Sequence, residues 1–204
     1  MTDALQGLLR LLLERAMATR PVEAAAVLLG VGYILLAIRQ KRGCWVVGGL
    51  STALYVMVFL EARLYLQAML QVLYVALAVY GWREWSRERG APAGVSVRAF
   101  GIRPQALLLA AAVAATATTA PVLAAWSDAS APWADALGTW ASVAATWMMI
   151  RKAAANWLWW IVIDCGLAAL FASQGLPFTA ALYLSFAALA AAGWTAWRRA
   201  PRMA

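Results

Sequence analysis

The sequence has no histidine among its 204 residues, and only two cysteines and nine acidic residues. Without imidazole there is no Cys/His zinc site and no histidine base for a serine nucleophile. Cys44 and Cys165 are too far apart for metal-ligand spacing and read as small apolar side chains packed in helices. The only lysines, Lys41 and Lys152, fall in polar breaks between apolar runs. No span therefore offers a Schiff-base lysine, which removes a retinal protein. No phosphate-binding P-loop occurs, so the chain itself is not expected to hydrolyse ATP. Charged residues make up 13% of the chain, against about a quarter in a soluble domain.

What is present is apolar: 65% hydrophobic residues, twelve tryptophans and a mean hydropathy of +0.72. That balance indicates an all-α integral membrane protein. The chain shows no basic-then-apolar leader with a small-residue cleavage site, so no removable signal peptide is expected. The net charge of +8 lies in short clusters between apolar runs, which is how membrane topology is written and not how nucleic acid is bound. Runs long enough to cross a bilayer fall at 22–38, 44–60, 64–82, 105–125, 134–150, 156–172 and 177–197. Before them, residues 1–20 carry Leu5, Leu8, Leu9, Leu12 and Leu13 at helical spacing, opposite Arg10, Glu14 and Arg15. This segment reads as an amphipathic helix lying in the interface. The loops on the C-terminal side and the C-terminal tail carry thirteen Lys and Arg; the other side carries four. The positive-inside rule then puts the N-terminus outside and the C-terminus in the cytoplasm.

A repeat lies within residues 21–204, the transmembrane domain. At an offset of 112, Arg39 meets Arg151, Trp45 meets Trp157, Phe59 meets Phe171 and Leu64 meets Leu176. Gly81-Trp82 meets Gly193-Trp194, Trp85 meets Trp197, Arg87 meets Arg199 and Glu23 meets Asp135. Helices at interfaces share Trp and Arg by habit, but not at one fixed offset. Repeat one (22–88) and repeat two (134–200) are expected to be parallel triplets. The linker helix at 105–125 joins them, because an odd-numbered unit needs one extra crossing to keep its orientation. Parallel repeats of this kind occur in secondary transporters, with substrate held between them near the midplane.

The 3+1+3 arrangement, "NWLWWIVID" opening the sixth helix, and "GWREW" and "GWTAW" closing the triplets together resemble the PnuC-type vitamin transporters, which carry nicotinamide riboside. The Trp-x-x-Trp element typical of that family matches Trp157 and Trp160. The resemblance spans residues 22–200. It implies facilitated diffusion across a bacterial inner membrane, with a separate cytoplasmic kinase trapping the vitamin as its phosphate. No enzyme activity and no cofactor are expected, and a homo-oligomer is left open. Relatives of this appearance carry thiamine or riboflavin, so thiamine is the alternative ligand. Sugar carriers of the SWEET type share the 3+1+3 logic, but an acid beside Trp-x-x-Trp favours a cationic aromatic ligand.

Asp164 stands near the centre of the sixth span, where a charge costs about 2.5–3.5 kcal/mol to insert. With no Lys or Arg at that depth, it is expected to face the path of a pyridinium or thiazolium cation; the plainer reading is a hydrogen bond to a neighbouring helix. It is read as the single carboxylate at depth, which sets aside a two-carboxylate hydrolase. Its repeat mate is Thr52. Trp157, Trp160, Asp164 and Phe171 share one helical face, suited to stacking on a flat cation or to an interfacial belt. Gln67, Gln71 and Tyr74 share a face of the third helix and are candidates for ribose or carboxamide bonds; helix–helix bonding is the alternative. Tyr183 is the mate of Gln71. Trp133, Trp140 and Trp147 recur every seven residues; packing is expected for them, with midplane Trp140 also a stacking candidate. Asn156 opens the sixth helix as an N-cap, and the resemblance gives it a claim as a gate residue.

Overall fold

A computed structural model of the chain describes residues 21–61, 65–87, 97–98, 100–126, 131–173 and 177–199. These contain seven helices: α1 Pro21–Ile38, α2 Cys44–Glu61, α3 Tyr65–Arg87, α4 Ile102–Trp126, α5 Pro132–Ile150, α6 Asn156–Ser173 and α7 Pro177–Arg199. Each expected span becomes a helix, with ends shifted by a few residues. The expected interfacial helix at 1–20 lies outside the described residues. The shortest helices have 18 residues, a rise of about 27 Å. Ile102–Trp126 and Ala180–Arg199 are long and apolar enough to cross a membrane. Leu28, Met69, Leu107 and Val162 are each more than two-thirds exposed. Such an apolar surface suits hydrocarbon rather than water.

Neighbouring helices in sequence pack together: α1 on α2, α2 on α3, α5 on α6 and α6 on α7. Contacts of α3 with α5 and of α7 with α1 close a six-helix ring. Helix α4 packs on the outside of α5. It turns Ala112, Thr116 and Ala120 inward at a spacing of four, small residues that allow close approach. The Trp140 indole donates to Thr119 Oγ1 at 3.1 Å. Trp140 is therefore tied to α4, and the stacking role expected for it is corrected.

Positions 112 apart meet matching surroundings. The turn after α1 places Gln40 at φ 53°, and the turn after α5 places Lys152 at φ 55°. At the first, Gln40 N donates to Ala37 O and Lys41 N to Leu36 O; at the second, Lys152 N donates to Met149 O and Ala153 N to Met148 O. Both are left-handed helix caps of the Schellman kind, which use up the last helical carbonyls. Neither capping residue is glycine, so each pays about 1–2 kcal/mol for its backbone. Lys152, expected as a loop charge, is instead buried, with Nζ 5.1 Å from the centre of the Trp85 ring.

The core sits where α1 and α5 end and α3 and α7 finish. There Trp45 meets Trp85 edge-on at 5.4 Å, and Trp157 meets Trp197 edge-on at 5.5 Å. Trp85 and Trp197 join the pairs at 6.3 Å. A Cβ on Gly81 would lie 2.5 Å from the Trp45 ring, and one on Gly193 would lie 2.5 Å from the Trp157 ring. Only glycine leaves room for either indole. The bonds at this level cross the ring. Trp85 Nε1 donates to Ile150 O at 3.0 Å, and Trp197 Nε1 donates to Ala37 O and Ile38 O at 3.2 Å each.

Candidate functional site

Inside the ring is a cavity of about 480 Å³, lined by α1, α2, α3, α5, α6 and α7. Helix α4 contributes nothing to it. The volume lies in the range that holds a small organic ligand. The tryptophan cluster forms one end of the cavity, its floor, through Trp45 and Trp157.

Seven of the sequence candidates come together here: Thr52, Gln71, Tyr74, Trp157, Trp160, Asp164 and Tyr183. Asp164 is 5% exposed. Among the described residues no Lys or Arg lines the cavity, so its charge has no fixed counter-ion there. Eight residues from Asn156, it stands about 12 Å above the floor. Trp160 is half-buried one turn lower on the same face. Trp157, 2% exposed, belongs to the floor and not to an interfacial belt. Tyr74 shares a hydrogen bond with Ser142 of α5, so the helix–helix reading holds for that hydroxyl even as its ring faces the cavity. Thr52 Oγ1 donates back to Gly49 O at 3.1 Å.

Three candidates stand apart. Trp140 points to α4. Asn156 is fully buried, and its Nδ2 donates to Ala153 O at 2.6 Å; a capping side chain would accept from the helix instead, so the N-cap reading is corrected. The Gln67 side chain, like those of Phe59 and Phe171, lies outside the described residues.

Other lining residues were not singled out from the sequence. Asp135, Gly138, Thr139, Ser142, Thr146 and Met149 form one stripe of α5, and their helical spacing with three hydroxyls was a readable signal. Tyr55 of α2 and Phe186 of α7 also face inward. Asp135 adds a second carboxylate to the lining, in the first turn of α5 and not at the depth of Asp164. The two do not form a proton-sharing dyad, since such pairs sit about 3 Å apart and these lie at different levels of the cavity. Much of the lining falls into mates: Trp45 with Trp157, Gly48 with Trp160, Thr52 with Asp164, Gln71 with Tyr183, and Tyr74 with Phe186. At the Gly48 position a Cβ would lie 2.7 Å from the Tyr33 ring. One side thus fills with Tyr33 the level that the other fills with Trp160.

The floor is closed but poorly satisfied. Among the described residues, the buried side-chain polar atoms without a partner are Gln40 Oε1, Trp45 Nε1, Ser86 Oγ, Asn156 Oδ1 and Trp157 Nε1. Gln40 lies in the turn after α1, and the others lie at the ends of α2, α3 and α6. Each such atom costs about 1–3 kcal/mol, which offsets part of the packing that holds the floor shut.

A ring of apolar-surfaced helices around a polar and aromatic cavity, closed at one end by a packed tryptophan floor, fits a membrane transporter of small organic molecules. The chain matches the family described as nicotinamide mononucleotide transporter over residues 20–199, and it belongs to that family. Membership makes it a multi-pass membrane transporter and not an enzyme. It is 26% identical over 206 residues to the nicotinamide riboside transporter PnuC of Escherichia coli (strain K12), covering 89% of this chain and 86% of that protein. The protein of the same name from Shigella flexneri matches equally. A crystal structure of the vitamin B3 transporter PnuC shares the fold, with a TM-score of 0.71 at 24% identity over 87% of this chain and 80% of that one.

Proposed function

We propose that this protein carries nicotinamide riboside across a bacterial inner membrane by facilitated diffusion. The observation that carries the choice is the cavity lining: Asp164 and Asp135, aromatic rings from several helices, and no cation among the described lining residues. A pyridinium nucleoside offers a positive flat ring to Asp164, Trp160 and Tyr183. Its hydroxyls and carboxamide suit Gln71 and Tyr74 of the third helix. A mononucleotide adds a phosphate, which would meet two carboxylates and, among the described lining residues, no Lys or Arg; like charges in a low-dielectric site repel. The riboside is therefore favoured over its phosphate. Thiamine, with its thiazolium cation, is the second reading, because the same acid and rings would take it.

Two parallel triplets in a 3+1+3 arrangement account for the matched caps, glycines and crossed indole bonds, with the floor as one gate of an alternating path. The N-terminus lies outside and the C-terminus, with the basic loops, inside. A cytoplasmic kinase then removes the free vitamin and makes entry one-way. Calorimetry of the purified protein with nicotinamide riboside, its mononucleotide, thiamine and riboflavin tests the ligand. Tight binding of the mononucleotide, or of neutral riboflavin alone, would reject the reading. A reporter active only in the cytoplasm, fused after Ala204 or within 127–133, tests the orientation.

A further inference from the structure

Tyr33 of α1 reaches into the lower part of the cavity. It stands five residues before Ile38, about 7.5 Å above the floor and close to the level of Trp160, four residues into α6. Its ring rests on Gly48, where a Cβ would come within 2.7 Å, and tilts onto Trp45 at 6.2 Å. The mates of Tyr33 and Gly48 are Ala145 and Trp160. Repeat one therefore supplies its ring at this level from its first helix, and repeat two from its second. The Tyr33 hydroxyl donates to Met149 Sδ at 2.9 Å. Among the described residues α1 and α5 make no helix–helix contact, so this bond spans the cavity. The other described lining hydroxyls below the level of Asp164 are those of Ser51 and Thr146. Both donate to backbone carbonyls, Ser51 Oγ to Ala26 O at 2.7 Å and Thr146 Oγ1 to Ser142 O at 2.8 Å. A thioether is a weak acceptor beside a carbonyl, so Tyr33 carries the hydroxyl at this depth that is easiest to redirect. The upper cavity differs. Gln71 and Tyr74 stand fourteen and eleven residues before Trp85, about 21 and 16 Å above the floor. That end suits a ligand part rich in hydroxyls; the lower end suits a flat ring with one acceptor.

We propose that Tyr33 is a specificity-determining residue, whose hydroxyl leaves the Met149 thioether and donates to an acceptor on the deep edge of a flat cationic ring. The proposal rests on reading the cavity as the site of a pyridinium nucleoside, and it fixes the direction in which that ligand lies. The base points toward the floor beside Trp160 and Tyr33, with its charge at the level of Asp164. Its carboxamide oxygen accepts from Tyr33, and the ribose hydroxyls remain with Gln71 and Tyr74. A bond to sulfur is replaced by one to a carbonyl oxygen, so only a ligand with an acceptor at that edge is favoured by the exchange.

Calorimetry on the full-length protein with two probes isolates this contact: nicotinamide riboside, and the N-ribosylpyridinium that lacks the carboxamide. Wild type is expected to bind nicotinamide riboside about 3- to 10-fold more tightly than the second probe, the range for one net hydrogen bond. Tyr33→Phe keeps the ring and should abolish that preference by weakening nicotinamide riboside alone. Gln71→Ala should weaken both probes alike, because it meets the ribose they share. Met149→Leu removes the bond that is given up and should tighten nicotinamide riboside about 2- to 5-fold. A preference kept in Tyr33→Phe, or lost in Gln71→Ala instead, would overturn the proposal while the functional reading stands. Should Tyr33→Phe not fold, equal wild-type affinities for the two probes, or no tightening in Met149→Leu, would overturn it as well. If wild type binds neither probe, the functional reading falls first and this proposal with it.

Discussion

Replacing Trp197 by Phe tests whether the floor is a gate held by bonds that cross the ring. Trp197 is fully buried, and its indole bridges α7 to the last carbonyls of α1. Phenylalanine keeps an aromatic edge against Trp157 but removes the donor; Ile38 O loses this bond, while Ala37 O keeps only the one from Gln40 N. Losing the partner of a buried polar group costs about 1–3 kcal/mol. If the bond spans halves that part on opening, that cost falls on the closed floor alone. The open population then rises about 5- to 150-fold, since each 1.4 kcal/mol is tenfold. The protein carries its own probe. Cys44 is fully buried beside the floor, whereas Cys165 is exposed. In a Cys165→Ser background, maleimide labelling of Cys44 reports opening, and its rate follows the open population when closing outpaces reaction. Trp197→Phe should speed labelling by that factor, and Trp85→Phe, which loses the mate bond to Ile150 O, should do likewise. Trp126→Phe, at an 88% exposed site, should leave the rate unchanged. Labelling of Cys44 within about twofold of wild type in both floor variants would refute the gate.

Asp164→Asn should weaken equilibrium binding of nicotinamide riboside by about 5- to 150-fold, the equivalent of 1–3 kcal/mol for a charge-assisted contact, without loss of membrane yield; unchanged calorimetric affinity would return Asp164 to a structural role. Gly193→Ala forces a Cβ to 2.5 Å from the Trp157 ring and should lower the melting temperature in detergent by the equivalent of about 1–3 kcal/mol. Gly81→Ala should do the same against Trp45, whereas at Gly166 nothing lies within 4 Å and alanine should be neutral or stabilising by up to about 1 kcal/mol. Gln40→Gly relieves a left-handed backbone and removes a buried orphan oxygen; a gain of about 1 kcal/mol in thermal unfolding is expected, and destabilisation would contradict the cap assignment.

The seven spans were legible because hydropathy is a local property: an apolar run must be helical in lipid wherever its neighbours lie. The offset of 112 was legible too, since Trp45 with Trp157 and Gly81 with Gly193 are rare enough to align without structure. Asp164 announced itself by the cost of a charge at mid-depth. Which face of each helix looks inward was not legible in the same way. In lipid the outward face is as apolar as the packed one, so the 3.6-residue alternation that marks the inside of a soluble helix largely vanishes. Trp140 and Trp160 look alike in the chain, yet one bonds to α4 and the other lines the cavity. Lys152 reads as a loop charge and is buried over Trp85; Asp135, read only as the mate of Glu23, lines Asp164's cavity. Those outcomes depend on how α3 meets α5 and α7 meets α1, contacts between residues far apart in the chain, and only ring closure decides them.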